Sequence, residues 1–105
     1  MFLTFESIVV RTDGLMSGSL DDSLVILNPL RDNYVELDEI GRRVWELLES
    51  PMAVGQICER IAEEFAGDPG QIADDLLGFL KELMDERLVH VAEGRSGKAE
   101  PNQQR

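Results

Sequence analysis

The chain has 105 residues, with 21 acidic against 10 basic side chains and a net charge of −11. A chain of this length forms one domain and has no room for large catalytic insertions. The charge repels phosphates and anionic lipids, so we expect no nucleic-acid partner and no membrane association. Cys58 is the only cysteine, which excludes an intrachain disulfide and fits a reducing compartment, so we expect a cytoplasmic protein.

Neither end of the chain has the composition of a targeting or membrane segment. The first residues, MFLTFESIVVRTDG, lack the basic start and unbroken apolar core of a secretory signal, and no stretch is as long as a membrane span. From Ala92 the sequence AEGRSGKAEPNQQR has no large apolar residue, so its burial cannot offset the entropy of ordering. We predict a folded domain over residues 1–91 and a disordered tail over residues 92–105.

Three short apolar runs near the start of the chain predict β-strands. The runs are Ile8 to Val10, Leu24 to Leu27 and Tyr34 to Leu37, and turn residues follow the first two. Between the first and second runs, the segment Leu15 to Asp22 mixes apolar and turn residues without a clear period. Its structure is therefore the least defined by sequence.

The third predicted strand alternates between two kinds of side chain. Val35 and Leu37 fall on one face, and Tyr34 and Glu36 fall on the other. We expect Val35 and Leu37 to face the core. If this strand lies at the edge of its sheet, its backbone is open to pairing with another extended chain.

Two apolar stripes at helical spacing predict the first two helices. The first helix begins at Asp38, a good N-cap, and stops before Ser50-Pro51. The second stripe covers Val54 to Phe65, with Gly67 as the expected C-terminal cap. Its start is less well marked, because Ala53 stands where a capping Ser or Thr is favoured.

A third helix begins at Asp68-Pro69-Gly70-Gln71, which combines an N-cap acid, an initial proline and a glutamine in capping-box position. It should extend to about Glu86, and a further short strand fits Leu88 to Val91. The apolar residues cover roughly 160° of this helix, whereas a stripe of about 100° suffices for one core. The central stripe comprises Ile72, Leu76, Phe79 and Leu83, and the surplus flank comprises Ala73, Leu77, Leu80 and Met84. The flank is either further core or the wall of a groove.

The sequence contains no residue pattern for catalysis, metal binding or cofactor binding. His90 and Cys58 are single and lack metal-ligand spacing, and the acidic pairs lack the other ligands of a calcium loop. Nucleophilic catalysis needs a Ser, Cys or Thr beside a base, and the only histidine lies near the C-terminal end of the fold. The glycines do not form a phosphate loop. We therefore expect no enzyme activity and no cofactor.

The order of elements is similar to that of a winged helix-turn-helix, whose usual partner is DNA. From Gln71 to Arg87, however, the third helix has five acidic and two basic side chains, and it would repel a duplex. A winged-helix DNA-binding regulator is thus one disfavoured alternative. An adaptor that binds other proteins through its acidic surface is another.

Four segments together resemble the PqqD-like family, the peptide chaperones or leader-peptide recognition elements of ribosomal peptide (RiPP) natural product pathways. The segments are LVILN, YVELDEIGRRVWELLESP, VGQICERIAEEF and DDLLGFLKELMDERLV, which cover roughly residues 24–91. The family pattern of a strand aromatic, a Leu-Asp helix start, a small residue and an aliphatic-aromatic pair matches Tyr34, Leu37-Asp38, Gly41 and Val44-Trp45. Ala53 departs from the pattern, since the family often has Thr there.

The resemblance implies an α+β, winged helix-turn-helix-like fold, with a three-stranded antiparallel sheet followed by three helices. It also implies that a leader peptide adds as an antiparallel strand beside the third strand, with its side chains in a groove against the third helix. The protein would then present the peptide to a modifying enzyme (a protease, cyclase or radical SAM enzyme) of a lasso-peptide or pyrroloquinoline quinone pathway. The site residues transferred by position are the pairing backbone of Asn33, Tyr34, Val35, Glu36 and Leu37, the wall residues Ala73, Leu77, Leu80 and Met84, and Lys81 as a partner for an acidic leader residue.

Overall fold

The computed structural model describes residues 3–21 and 23–92, which form six strands and three helices. In chain order these are β1 (Ile8–Arg11), β2 (Met16–Leu20), β3 (Ser23–Asn28), β4 (Asn33–Leu37), α1 (Glu39–Leu47), β5 (Met52–Ala53), α2 (Val54–Phe65), α3 (Pro69–Asp85) and β6 (Val89–Val91). The predicted α+β class with three helices after the first strands is confirmed. The short strand predicted near Leu88 to Val91 is also present, as β6.

The strands form two antiparallel sheets of three, in the orders β5-β1-β6 and β2-β3-β4. The predicted run Ile8 to Val10 is a strand, but it does not share a sheet with the other two predicted runs. This run pairs instead with the end of the described chain, where Val9 lies opposite Val91. The segment Leu15 to Asp22, whose last residue lies outside the described part, supplies β2 on the far side of β3 from β4.

The helix starts follow local capping chemistry. Asp38 accepts a hydrogen bond from the backbone N–H of Gly41 at 2.9 Å, and Asp68 accepts one from that of Gln71 at 2.9 Å. Ala53 gives α2 no side-chain cap. The Gln71 side chain does not complete the expected capping box, because its Nε2 donates to Asp75 Oδ1 at 3.0 Å.

The end of α2 differs from the prediction by one residue. Ala66, with φ of 52° and ψ of 35°, adopts the left-handed cap conformation that was expected of Gly67. Gly67 instead packs closely on α3, because a Cβ there would lie 2.9 Å from Cδ1 of Ile72, whose side chain would have to shift. The close contact between Gly67 and Ile72 thus brings the α2–α3 connection against the first turns of α3.

One core lies between the two sheets and the helices. Its largest fully buried side chains are Val9, Ile26, Leu37, Val44, Leu48, Val54, Ile57, Ile61, Leu80, Leu83 and Leu88. Backbone pairing continues to Ala92, whose N–H donates to the carbonyl of Ile8 at 2.8 Å; the rest of the predicted tail, residues 93–105, lies outside the described residues. Among the described helices, none has the length and apolar character needed to cross a bilayer.

Candidate functional site, a groove beside an open strand edge

The β3–β4 hairpin is organised by Asn28, the one buried polar side chain among the described residues, at 4% exposure. Its Oδ1 accepts a hydrogen bond from the N–H of Leu30 at 3.1 Å. Its backbone carbonyl accepts from Arg31 at 3.1 Å and from Asp32 at 2.9 Å, and Asp32 adopts a positive φ of 54°. Asparagine favours such turns because its side chain bonds the backbone two residues on. The turn fixes the start of β4.

β4 is an edge strand. It pairs with β3 along its whole length, from Asn33 opposite Asn28 to Leu37 opposite Leu24. On its other side, the part of the chain that the structure describes supplies no strand. In an antiparallel ladder alternate residues direct their N–H and C=O groups to the same side, so the open edge of β4 presents backbone donors and acceptors. Met16–Leu20 do not cover this edge, because they form β2 on the far side of β3.

The side chains of β4 alternate as the sequence predicts. Leu37 is buried and Val35 is half-buried, whereas Tyr34 is 69% exposed and Glu36 is exposed. Tyr34 lies opposite Leu27, which lies opposite Met16, so these three form an exposed row on the outer face of the sheet. The aromatic side chain of Tyr34 therefore points away from the helices, and only the backbone of this residue lies along the open edge.

A groove of about 330 Å³ separates β4 from the C-terminal half of α3. Its lining residues are Val35, Glu36, Leu37, Phe79, Glu82, Leu83, Asp85 and Glu86. On the helix side, Glu82, Leu83 and Glu86 follow Phe79 by three, four and seven residues. These four side chains therefore lie on one face of α3. The volume is in the usual range of ligand pockets. The groove thus has an apolar floor and acidic side chains from the helix.

The two ends of the groove differ in chemistry. At one end, Asn33 Nδ2 donates to the carboxylate of Glu86. At the other end, Phe79 and Leu37 approach Gly41 so closely that a Cβ on this glycine would lie 3.1 Å from Cζ of Phe79 and 3.2 Å from Cβ of Leu37. β4 and α3 therefore run in opposite directions along the groove. The Leu37 end is apolar, and the Asn33 end is polar and acidic.

Beyond the apolar end lies a second, smaller recess of about 220 Å³ between α1, α2 and α3. It is lined by Asp38, Ile40, Gly41, Ile61, Ile72, Asp75, Leu76 and Phe79. Phe79 contributes to both cavities, so its ring forms the boundary between the groove and the recess. The two cavities follow one another along α3.

The helical residues predicted for the groove wall lie elsewhere. Leu80 is fully buried, so its side chain has no surface for a peptide to contact. Ala73, Leu77 and Met84 are half-buried and Lys81 is exposed, and none of the four lines the groove. Because α3 also packs on α2 and β6, part of its wide apolar arc is needed for the core. The opposite edge of the arc, including Phe79 and Leu83, faces β4.

The groove carboxylates make no ion pair with any residue that the structure describes. The ion pairs that form are on α1 and α2, where Arg42 bonds Glu46 and Arg43 bonds both Glu46 and Glu64. The hydrogen bonds from Arg43 lower the pKa of the Glu64 carboxyl below its ordinary range. Arg31 lies beside the groove, where its Nη1 donates to the backbone carbonyl of Asp85 at 3.1 Å.

Comparison with known proteins identifies the family and several relatives. The family model described as "Coenzyme PQQ synthesis protein D (PqqD)" matches residues 23–89. A protein named PqqA binding protein from Xanthomonas oryzae pv. oryzae is 33% identical over 70 residues, which cover 67% of this chain and 74% of that protein. A PqqA binding protein from Xanthomonas euvesicatoria pv. vesicatoria matches to the same extent.

Two solved structures share the fold. TbiB1, in complex with the TbiA(beta) leader peptide, has a TM-score of 0.72 and 29% identity, covering 81% of this chain and 99% of that chain. The PqqD part of Methylobacterium extorquens PqqCD, described as a stand-alone RiPP recognition element, has a TM-score of 0.69, 21% identity and coverage of 84% and 94%. At 21% identity the second likeness concerns the fold alone. The family match and the 33% identical relatives show that this chain belongs to the PqqD family.

Proposed function

We propose that this protein binds the leader region of a ribosomally synthesised precursor peptide by strand addition to β4 and presents it to a modifying enzyme. The observation that carries the proposal is the open edge of β4, which faces a groove against α3. Relatives support the same activity, since one group is named for binding PqqA and TbiB1 is described with a leader peptide. The role is binding, and the chemistry belongs to the enzyme.

In this proposal the leader lies antiparallel to β4 and extends the β2-β3-β4 sheet. Backbone hydrogen bonds to the Asn33–Leu37 edge supply affinity that does not depend on leader sequence, and alternate leader side chains enter the groove and supply specificity. Antiparallel pairing places the N-terminal part of the bound segment at the Leu37 end. The leader residues that contact the apolar floor therefore precede those that reach Asn33.

The side-chain contacts proposed on the protein come mainly from Val35 and Phe79, which are half-buried, above a floor of Leu37 and Leu83, which are 2% and 1% exposed. All four line the groove, and Phe79 also borders the apolar recess beyond the end of β4. An apolar leader residue that precedes the paired segment can enter this recess. This set replaces the expected helical wall, of which Leu80 is buried and the other members lie outside the groove.

The proposal is tested by titrating ¹⁵N-labelled protein with the leader of the precursor encoded beside its gene, using a scrambled leader as control. We expect shift changes in β4 and in the Phe79 to Glu86 half of α3, with none from the scrambled peptide. N-methylation of successive leader amides should weaken binding at every second position of the paired segment, because alternate amides face β4. A leader that binds without changing the β4 amides would exclude strand addition.

The pathway and the class of modifying enzyme are further parts of the proposal. The resemblance to the family implies a pyrroloquinoline quinone or lasso-peptide pathway, and a protease, a cyclase or a radical SAM enzyme as partner. Titration with leaders of both pathway types gives a Kd for each leader, and the lower Kd identifies the favoured pathway. Co-elution of the leader-bound protein with each candidate enzyme then identifies the partner, with leader-free protein as the control. The cytoplasmic location stays a prediction.

A further inference from the structure

We propose that the leader segment is basic as well as apolar, and that a Lys or Arg side chain binds between Glu82, Glu86 and Asn33 at the polar end of the groove. This inference rests on the proposed leader binding and specifies its substrate class. The occupant is thus a peptide with an apolar anchor near Phe79 and a cationic side chain further along. The argument depends on charge, on one buried acceptor and on the direction of β4.

The first observation is a group of carboxylates that have no ion-pair partner among the described residues. Glu82, Asp85 and Glu86 all line the groove from α3, and none forms an ion pair within the described residues. Glu36 also lines the groove, but it adjoins Leu37 and alternates with the inward-facing Val35 and Leu37, so it is not part of this cluster. A leader with acidic residues at this end would meet like charge in a partly desolvated cleft, whereas a cation would be attracted.

The second observation is the amide of Asn33. Its Nδ2 donates to Glu86, but its Oδ1 is buried and accepts no hydrogen bond from the described residues. A buried acceptor without a donor costs roughly 1–3 kcal/mol. An ammonium or guanidinium group carries several N–H donors and no acceptor. Asn33 bonds the carboxylate of Glu86, so a cation that binds Glu86 lies beside this amide, and a rotation of the half-buried Asn33 side chain would let Oδ1 accept from the same cation.

The third observation gives the spacing in the leader. Phe79 and Glu86 are seven residues apart on α3, which corresponds to roughly 10 Å at a helical rise of about 1.5 Å per residue. A strand covers that length in about three residues at roughly 3.3 Å each. Because only alternate side chains face the groove, the cation should follow the apolar anchor by two or four positions. The antiparallel direction places it on the C-terminal side of the anchor.

The test uses a fluorescein-labelled synthetic leader of the precursor encoded beside the gene, and the same peptide with its Lys and Arg residues changed to Gln one at a time. The protein variants are Glu82→Gln and Glu86→Gln, which remove charge but keep an acceptor oxygen for a hydrogen bond. Glu63→Gln is the matched control, because Glu63 is an exposed residue of α2 outside the groove. Thermal melts verify that each variant is folded.

We expect each groove variant to raise the Kd roughly two- to fivefold, the range of a solvent-accessible ion pair. The control should leave the Kd unchanged. Neutralising one basic leader residue should have the same effect, and combining it with Glu86→Gln should add little, because both changes remove one interaction. Raising the salt concentration from about 0.05 M to about 0.5 M should raise the Kd of the natural leader and hardly change the Kd of the neutralised one.

The inference is overturned if the leader binds at β4 but every neutralised peptide binds equally well, or if the groove variants behave like Glu63→Gln. A leader that binds at β4 and has no basic residue after its apolar anchor overturns it as well. These outcomes leave strand addition intact, since the β4 amides still shift. Absence of any shift in β4 with the natural leader instead removes the proposed function and this inference together.

Discussion

Variants of two neighbouring residues of α3, Phe79 and Leu80, test the groove and the core independently. Leu80 is fully buried, whereas Phe79 is half-buried and lines both cavities. Truncating a buried Leu to Ala costs about 2–5 kcal/mol of unfolding free energy. Phe79→Ala should cost less than the roughly 3–5 kcal/mol of a core Phe, on the order of 1–2 kcal/mol, because part of the ring is already in water.

For leader binding, Phe79→Ala should have the larger effect and Leu80→Ala the smaller one. Phe79→Ala removes the apolar surface that a leader anchor contacts, at roughly 25 cal/mol per Å². Loss of some 40 to 80 Å² of shared contact corresponds to about 1–2 kcal/mol, which is roughly a 5- to 30-fold rise in Kd. Leu80→Ala should leave the Kd of the folded protein within about twofold, since Leu80 has no surface in the groove.

Urea denaturation followed by circular dichroism gives the unfolding free energies, and fluorescence anisotropy of a labelled leader gives the Kd under conditions where each variant is folded. Leu77→Ala is the third variant, because Leu77 is half-buried outside the groove. If Leu77→Ala weakens binding and Phe79→Ala does not, the leader uses the flank that the sequence predicted, and the groove beside β4 is not the site.

Three further outcomes follow from local geometry. Ala53→Ser should raise the unfolding free energy by roughly 0.5–1 kcal/mol in urea titrations, because Ala53 occupies an extended N-cap position without a side-chain cap; an unchanged midpoint would contradict this. Gly41→Ala should weaken leader binding in anisotropy assays, since the new Cβ forces Phe79 to move by a few tenths of an ångström; a wild-type Kd would show that the recess adapts. Burial raises the pKa of the Cys58 thiol, so iodoacetamide should react with it at pH 8 more slowly than with free cysteine, and the rate should rise in urea; equal rates in folded and unfolded protein would contradict the burial.

The features that sequence predicted well depend on contacts between near neighbours. Asp38 and Asp68 each bond a backbone N–H three residues away, so short spacing alone locates two helix starts. The alternation of Val35 and Leu37 with Tyr34 and Glu36 likewise depends only on the two-residue period of a strand. These local rules defined the strand whose edge is open.

The division of the strands between two sheets could not be predicted in the same way. β1 pairs with β6, about eighty residues away along the chain. The sequence of a short β-branched run does not indicate which other strand it pairs with. β2 was not recognised because all five of its residues are exposed. A strand is recognised by alternating apolar residues, and a strand without a buried face does not need them.

The face of α3 that lines the groove was assigned to the core for a related reason. Phe79 is apolar because it closes a groove, whereas Leu80 and Leu83 are fully buried and fill the interior, with Leu83 also at the floor of the groove, and the sequence pattern is the same in both cases. Only the neighbours of α3 distinguish them: α2 and β6 on one side, and β4 on the other. The width of the apolar arc therefore indicated that a second surface exists, but not which edge forms it.

The charged residues between these apolar positions indicate the kind of partner that α3 binds, which the apolar residues alone do not. Glu82, Asp85 and Glu86 contributed to the negative charge by which DNA was excluded as a partner of α3. In the structure the same side chains line the groove beside β4. A helix that repels a phosphate backbone for this reason attracts a cationic peptide for the same reason. Strand addition accepts any extended chain, so in our proposal these carboxylates, together with the apolar floor, determine which leader this protein selects.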